Sequence, residues 1–266
     1  MPLSLSVVNR LPKGVRDFLY LKLVPPELLE RFGVDPETLR GPSGAKAIRG
    51  WFPEDENAAS IEVRLRPEDR DPVFFCQISL DEGFKAVVLD LVVINDITGE
   101  RYNIDRDPEG KDTLFGMLRR NVPEEVKAMR AGLAPGMVRP GLGLLGRFLR
   151  CLEVFTDFLG LKTIMLEALF YHTAILFERH GFGYLRGLRL MQTIHREFSP
   201  GGKLFEALDG STPFRVPGVD QTVRGRSWAI QDGILKDALG VDWRPPKMYK
   251  LLGKSQRINT FPGQRY

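Results

Sequence analysis

Two glycines set one residue apart, Gly141 and Gly143, are the first residues in this chain whose type and spacing point to chemistry. They belong to the stretch Val138-Arg139-Pro140-Gly141-Leu142-Gly143-Leu144, which runs into an apolar-periodic segment. A helix starting there presents free N–H groups and the positive end of its dipole, and glycines let an anion approach the backbone. The chemistry implied is phosphate binding by main chain. Downstream, Glu167 is a candidate base, and His172 and Tyr184 are candidate acids. The alternatives are a salt-bridged surface glutamate and a partly exposed helix histidine. A further cluster, Arg215, Arg224, Arg226, Ser227, Trp228 and Asp232, combines guanidinium forks with a flat indole. It reads either as the wall of a substrate pocket or as an ion-pair network with Trp228 in the core.

The elements that must position these groups are legible as patterns. Leu145, Phe148, Leu149, Leu152, Phe155 and Leu159 recur at helical spacing, which predicts a helix over 144–159 stopped by Gly160. Leu161 to Leu166 reads as a buried strand, and a second helix runs through Glu178 and Arg179 to Gly181-Phe182. Ahead of this unit, residues 60–66, 73–80 and 84–94 read as successive strands. Ile97 to Glu100 would turn a second hairpin into Arg101–Asp105. Residues 106–136 read as a charged helical insertion, with helices over Thr113–Leu118 and from Pro123. The first 57 residues look irregular and proline-punctuated, with short helices at Pro25–Phe32 and Asp35–Leu39. After Gly187 a helix over Leu188–Phe198 begins a C-terminal extension. Its stretch Trp243–Lys250 reads as a docking arm or as a segment wrapped on its own domain.

Glycine loop, helix, strand, helix and Gly-Phe, in that order over residues 133–187, resemble the GNAT superfamily, the Gcn5-related N-acetyltransferases. The family's acetyl-CoA pyrophosphate loop reads Gln/Arg-x-x-Gly-x-Gly/Ala, and Gly141 and Gly143 fill its two glycine positions. Gly181 and Phe182 sit where the family's helix ends. Val138 stands where the family prefers Gln or Arg, with Arg139 one place late. Phe177 stands where many members carry a tyrosine that acts as general acid. The resemblance implies an α/β fold with a mixed sheet: a GNAT-like core over 58–187 carrying the 106–136 insertion, with extensions 1–57 and 188–266. It implies acetyl-CoA or another acyl-CoA held at Val138, Arg139, Gly141, Leu142, Gly143 and Leu144, with Phe177 toward the thiol end. The activity implied is N-acylation of an amine, small molecule or peptide, with Glu167, His172 and Tyr184 as catalytic candidates. The alternative is a GNAT-derived CoA-binding or interaction module that has lost catalysis.

Composition narrows the classes. At 266 residues the chain can bury a full core, and its formal net charge of +4 is too small to argue for nucleic acid. No nucleic-acid-binding signature appears, and acids are interspersed with the basic residues. The two cysteines, Cys76 and Cys151, lie in apolar runs without metal-ligand spacing. They read as free thiols in a reducing, cytoplasmic setting, with no metal expected. The N-terminus does not read as a signal peptide, and no apolar run approaches the roughly 18 residues that span a bilayer.

Overall fold

The computed structural model describes residues 2–114 and 119–262. Three short helices come first: α1 (Leu5–Asn9), α2 (Lys13–Leu21) and α3 (Pro26–Arg31). Strands β1 (Ile48–Trp51), β2 (Ala58–Val63), β3 (Phe74–Asp81) and β4 (Ala86–Ile94) follow. Helix α4 (Val122–Arg130), helix α5 (Leu145–Phe158), strand β5 (Thr163–Glu167), helix α6 (Tyr171–Arg179) and strand β6 (Gly183–Arg186) come next. The chain then forms α7 (Leu188–Glu197), α8 (Lys203–Glu206), α9 (Val223–Gln231), α10 (Ile234–Leu239) and β7 (Lys247–Leu251). The seven strands make one mixed sheet in the order β1-β2-β3-β4-β5-β7-β6, so the fold class is α/β. No helix among the described residues is long and apolar enough to cross a membrane.

The chain divides into two compact units, each built from separate stretches of sequence. One comprises Met1–Gly99, Gly141–Leu166 and Lys250–Lys254; the other comprises Glu100–Pro140, Glu167–Tyr249 and Ser255–Tyr266. In the first unit, period-two alternation makes the sheet. Ala59, Ile61 and Val63 of β2 are buried between half-exposed neighbours. They pair antiparallel with Ile78, Cys76 and Phe74 of β3, which are fully buried. Apolar side chains thus share one face of the ladder. Between β3 and β4 the register shifts: Gln77 faces Leu91 and Ile78 faces Leu89, which leaves Asp90 as the extra residue of a bulge. A parallel neighbour needs a crossover, and α5 belongs to that crossover. Ala86–Leu89 of β4 pair in parallel with Thr163–Leu166 of β5. The apolar stripe of α5 is buried at Phe148, Leu149, Leu152 and Phe155, with the Phe148 ring 5.6 Å from that of Phe74. Gly160, at φ 71°, ends the helix where a side chain would be strained.

The N-terminal segment is more ordered than its sequence suggests. Asn9 is fully buried, and its Nδ2 donates to the carbonyls of Pro53 and Ala58 at 2.6 and 3.0 Å. Its Oδ1 accepts from the Tyr20 hydroxyl at 2.5 Å. One side chain therefore ties α1 and α2 to the loop ahead of β2. Residues Asp35–Leu39 are not helical. The Asp35 carboxylate accepts from Glu37 N, Thr38 N and Thr38 Oγ1, and Asp35 bridges to Arg40. These local bonds outcompete a helix, as aspartate does in turns.

In the second unit, Tyr102, Ile104, Ala128, Leu133, Phe214 and Trp228 form a buried cluster, with the Trp228 indole donating to Leu133 O at 2.8 Å. Arg101–Asp105 is not a strand. The Arg101 guanidinium binds Asn103 and Asp105 instead, and Tyr102 N donates to Val138 O. Of the helix expected at Thr113–Leu118, residues 115–118 lie outside the described residues. The proposed limits at 57 and 187 do not bound the sheet, because β1 precedes the first and β7 follows the second. Trp243–Lys250 is accordingly no free arm: its end is strand β7, which pairs antiparallel with β6.

Phe148 is the test of the first unit's core. Truncation of a buried phenylalanine typically costs about 3–5 kcal/mol. Phe148→Ala should lower the unfolding free energy, measured by urea titration, by that amount. A loss under ~1 kcal/mol would show that α5 does not depend on this contact.

Candidate functional site

The glycine loop belongs to the first unit, and its placement follows from the end of β4. Asn95 is buried; its backbone N–H donates to Val73 O at 2.9 Å and its side chain to Pro72 O at 3.1 Å. Asn95 also forms an antiparallel bridge with Gly141. The chain that left the sheet at Asn95 therefore returns beside it, and Gly141 extends the line of β4 into the loop.

The loop then opens α5 in a way that leaves the helix end unfinished. Leu144 occupies the N-cap position without a side-chain cap, and the first turn carries no acid. Most helices satisfy some of these orphan N–H groups with Ser, Thr, Asp or Asn. Gly143 has φ 72°, and a Cβ built there would meet nothing within 4 Å. Glycine is needed for the backbone angle, and the space beside it is open. Gly141 and Gly143 are exposed, while Leu142 and Leu144 are half-buried. An exposed, uncapped N-terminus with room at its glycine fits an anionic group such as a phosphate. Val138 belongs to the second unit, where it packs against the Trp228 cluster and gives its carbonyl to Tyr102. Arg139 is half-buried in the same unit.

Asp90 was not singled out by the sequence reading, although it is the one charged residue in Ala86–Ile94. It stands at the bulge between β3 and β4, and Ser79 Oγ donates to its Oδ1 at 3.1 Å. The residue is solvent-exposed, yet burial by the surrounding strands lifts its carboxyl above the usual range, against the pull of Ser79. By the parallel register Asp90 falls opposite the last residue of β5, so Leu91–Ile94 run on past that strand, half-exposed. A carboxylate made more basic, at the point where the neighbouring strand ends, suits a general base.

The three catalytic candidates read from the sequence lie in the second unit. Glu167 is exposed and stands 3.9 Å from Arg186, as a salt-bridged surface glutamate does. His172 is 3 % exposed, with its Nδ1 3.0 Å from Ser227 Oγ and its ring stacked on Phe170. Burial, with Arg224 nearby, pushes its pKa down to about 3. It is a neutral core histidine, which corrects the expectation of a helix-surface one. The Tyr184 hydroxyl donates to Glu178 Oε1 at 2.6 Å, and burial beside that carboxylate pushes the phenol up. Glu178 is itself buried and also accepts from Thr260 N and Thr260 Oγ1. The phenol proton of Tyr184 is thus engaged in holding the C-terminal segment. Phe177 is 7 % exposed and meets Phe182 edge-on at 5.2 Å.

The arginine–tryptophan cluster resolves in favour of structure. Asp232 accepts from Arg120, Arg215 and Thr212, and Trp228 is 1 % exposed. Arg226 is buried, its guanidinium 5.0 Å from the Phe198 ring and 4.5 Å from that of Phe261, with Nε donating to Asp220 O. Nothing in its local sequence marks it as a core residue. Cys76 is buried and Cys151 half-buried, both free. Among the described residues no group of His, Cys, Asp and Glu is arranged to hold a metal ion.

No family model matches the chain, and no curated protein or solved structure matches it.

The His172 pKa makes a pH prediction. Its folded value lies below the 6.5 of a free histidine, so the unfolded chain binds more protons between those values. The stabilisation is fully present above 6.5 and is lost as pH falls toward 3. Stability measured by urea titration between pH 7 and 5 should therefore decline with acid in the wild type. The decline should be shallower in His172→Gln. Equal slopes would place the buried proton elsewhere.

Proposed function

We propose that the protein is a GNAT-like, acyl-CoA-dependent N-acyltransferase. The observation that carries this reading is the delivery of an exposed, uncapped glycine loop to the end of β4, next to a strand edge that outruns β5. The antiparallel order of β1–β4 and the parallel step from β4 to β5 are what the resemblance leads one to expect. Two features fit the residues to a CoA thioester. Open space stands where a Cβ at Gly143 would be, and no side chain caps the helix that begins there, so there is room for its phosphates at the first-turn N–H groups. Asp90 lies five residues before Asn95, or about 17 Å along an extended strand. An extended pantetheine arm is of that length, so it would bring the acyl group near Asp90. Its amide groups could pair with the free edge of Leu91–Ile94 as an added strand does.

When bound, the thioester supplies an activated acyl carbon. Asp90 takes the proton that the incoming ammonium must lose before its nitrogen can attack. The new C–N bond forms as the C–S bond breaks, and the nitrogen's surplus proton passes to the departing thiolate, which leaves as the CoA thiol. A thiol of ordinary pKa, about 8.5, is a tolerable leaving group without an acid. This matters because Phe177 cannot donate a proton and Tyr184 already gives its own to Glu178. The acceptor is an amine, small or peptidic. The same phenylalanine favours a second reading, a CoA-binding module without transfer.

Two experiments test these readings. Gly143→Asn tolerates the left-handed backbone and puts an amide into the open space. It should stay folded and weaken CoA binding, measured by calorimetry, about tenfold through lost charge-assisted contacts. Unchanged affinity would remove the loop from the site. Asp90→Asn should keep CoA affinity and slow CoA release in the presence of an accepted amine by about 10² to 10⁴. Transfer at the wild-type rate would remove Asp90 as the base, and CoA binding with no release for any amine would select the module reading.

A further inference from the structure

In the first unit, apart from the glycine loop, a hollow of about 130 Å³ opens between α2 and the edge strand β1. Four cations line it: Lys13, Arg16, Lys46 and Arg49. A single carboxylate, Asp17, stands among them. Its floor is apolar, from Ile48, Phe52 and Ile61.

The charges are not a loose solvated face. Asp17 accepts from Lys13 Nζ at 2.6 Å and from Arg16 Nε and Nη2 at 3.2 and 3.1 Å, which leaves Nη1 turned away from that carboxylate. Its carboxyl is desolvated, but the bonds from Lys13 and Arg16 more than offset this and hold it below the usual range. Asp17 thus stays ionised and orders two cations while neutralising the charge of one. The Arg16 guanidinium also stands 4.9 Å above the Phe52 ring, and that ring stacks on Tyr20 at 4.3 Å. Gly50 makes this possible, because a Cβ there would run into the Phe52 ring. Arg16 is therefore held in place before any ligand arrives, which spares the entropy of ordering it. Lys46 and Arg49 are exposed and form no ion pair among the described residues. Four positive charges against one negative leave an excess of three around a hollow with an apolar floor. Like charges so gathered repel, and a multiply charged anion relieves that repulsion more than any single counterion. The volume admits a phosphate-sized group and falls below the ~300 Å³ of pockets that enclose a whole drug-sized ligand.

We infer that this hollow is a binding site for a phosphate group, separate from the proposed CoA loop and independent of it. Arg16 supplies a guanidinium held in place beforehand, Lys13, Lys46 and Arg49 supply charge, and the apolar floor at Ile48 and Ile61 receives the group that carries the phosphate. The phosphate could be free or part of a small ester, and the two are separable by experiment.

The test uses the full chain at low ionic strength, with calorimetric titration of inorganic phosphate and of phenyl phosphate. The comparison is between wild type, the exposed double variant Lys46→Glu/Arg49→Glu, Arg16→Gln, and Gly143→Asn. Saturable binding that weakens about tenfold or more in the double variant and in Arg16→Gln, and survives in Gly143→Asn, supports the site. Tighter binding of phenyl phosphate assigns it to an ester, and equal binding assigns it to free phosphate. Circular dichroism and thermal unfolding confirm that the variants fold. Phosphate affinity unchanged in the folded double variant, affinity lost only in Gly143→Asn, or succinate competing as well as phosphate would each overturn the proposal.

Discussion

The arrangement of the candidate site depends on how Asn95 is held. Its backbone binds Val73, its side chain binds Pro72, and it bridges to Gly141. A buried asparagine must satisfy its amide, and here the carbonyl next to β3 does so. That fixes the end of β4. A helix that opens immediately after such an anchor points its N–H groups in a direction set by the sheet. The loop inherits its position from a strand it does not follow in sequence.

Within that frame, α5 reconciles two demands. Its apolar stripe must be covered, and Phe148 against Phe74 achieves this. Its first turn must remain accessible, and neither a cap residue nor a glycine side chain fills the space there. A small local cost at the helix end is left standing while burial along the rest of the helix offsets it. Unfinished helix ends next to well-packed stripes are where ligands find N–H groups without competition. The bulge that carries Asp90 is a comparable case on the sheet: pairing is interrupted at one residue, and the interruption exposes a carboxylate.

The periodic elements were legible. The helix over 145–158, the strand at 163–167 and the helix at 188–197 come from spacings that each encode one buried face. What was not legible came from side chains that bind over long sequence separations. Asn9 orders the N-terminal helices through carbonyls more than forty residues away, and nothing near it marks this. Asp35–Leu39 has helix-compatible residues, but a single carboxylate turns it. Arg101–Asp105 alternates like a strand, yet the bonds of Arg101 hold it irregular. At the site, the glycine spacing was visible, because only glycine permits the angle at Gly143. His172 and Tyr184 depart from their local patterns because their partners, Ser227 for the one and Glu178 with Thr260 for the other, come from other segments. Asp90 carries a signal of its own, a lone charge inside an apolar run.

The last ladder residues of the first unit have a consequence for how the chain is made. Lys250 pairs with Glu153, and Leu252 N donates to Lys162 O. The stretch Lys250–Lys254 belongs to the same compact unit as the first strands. During synthesis, the early strands and α5 must therefore wait for a segment that follows α5 by about ninety residues. At about 5–20 residues per second, that stretch takes several seconds or more to emerge. Strand edges formed early would stand open through that interval, exposed to pairing with neighbouring chains. Contacts of such long sequence separation also slow the search once the chain is free. The molecule's vulnerability is thus concentrated in its birth, before β7 arrives.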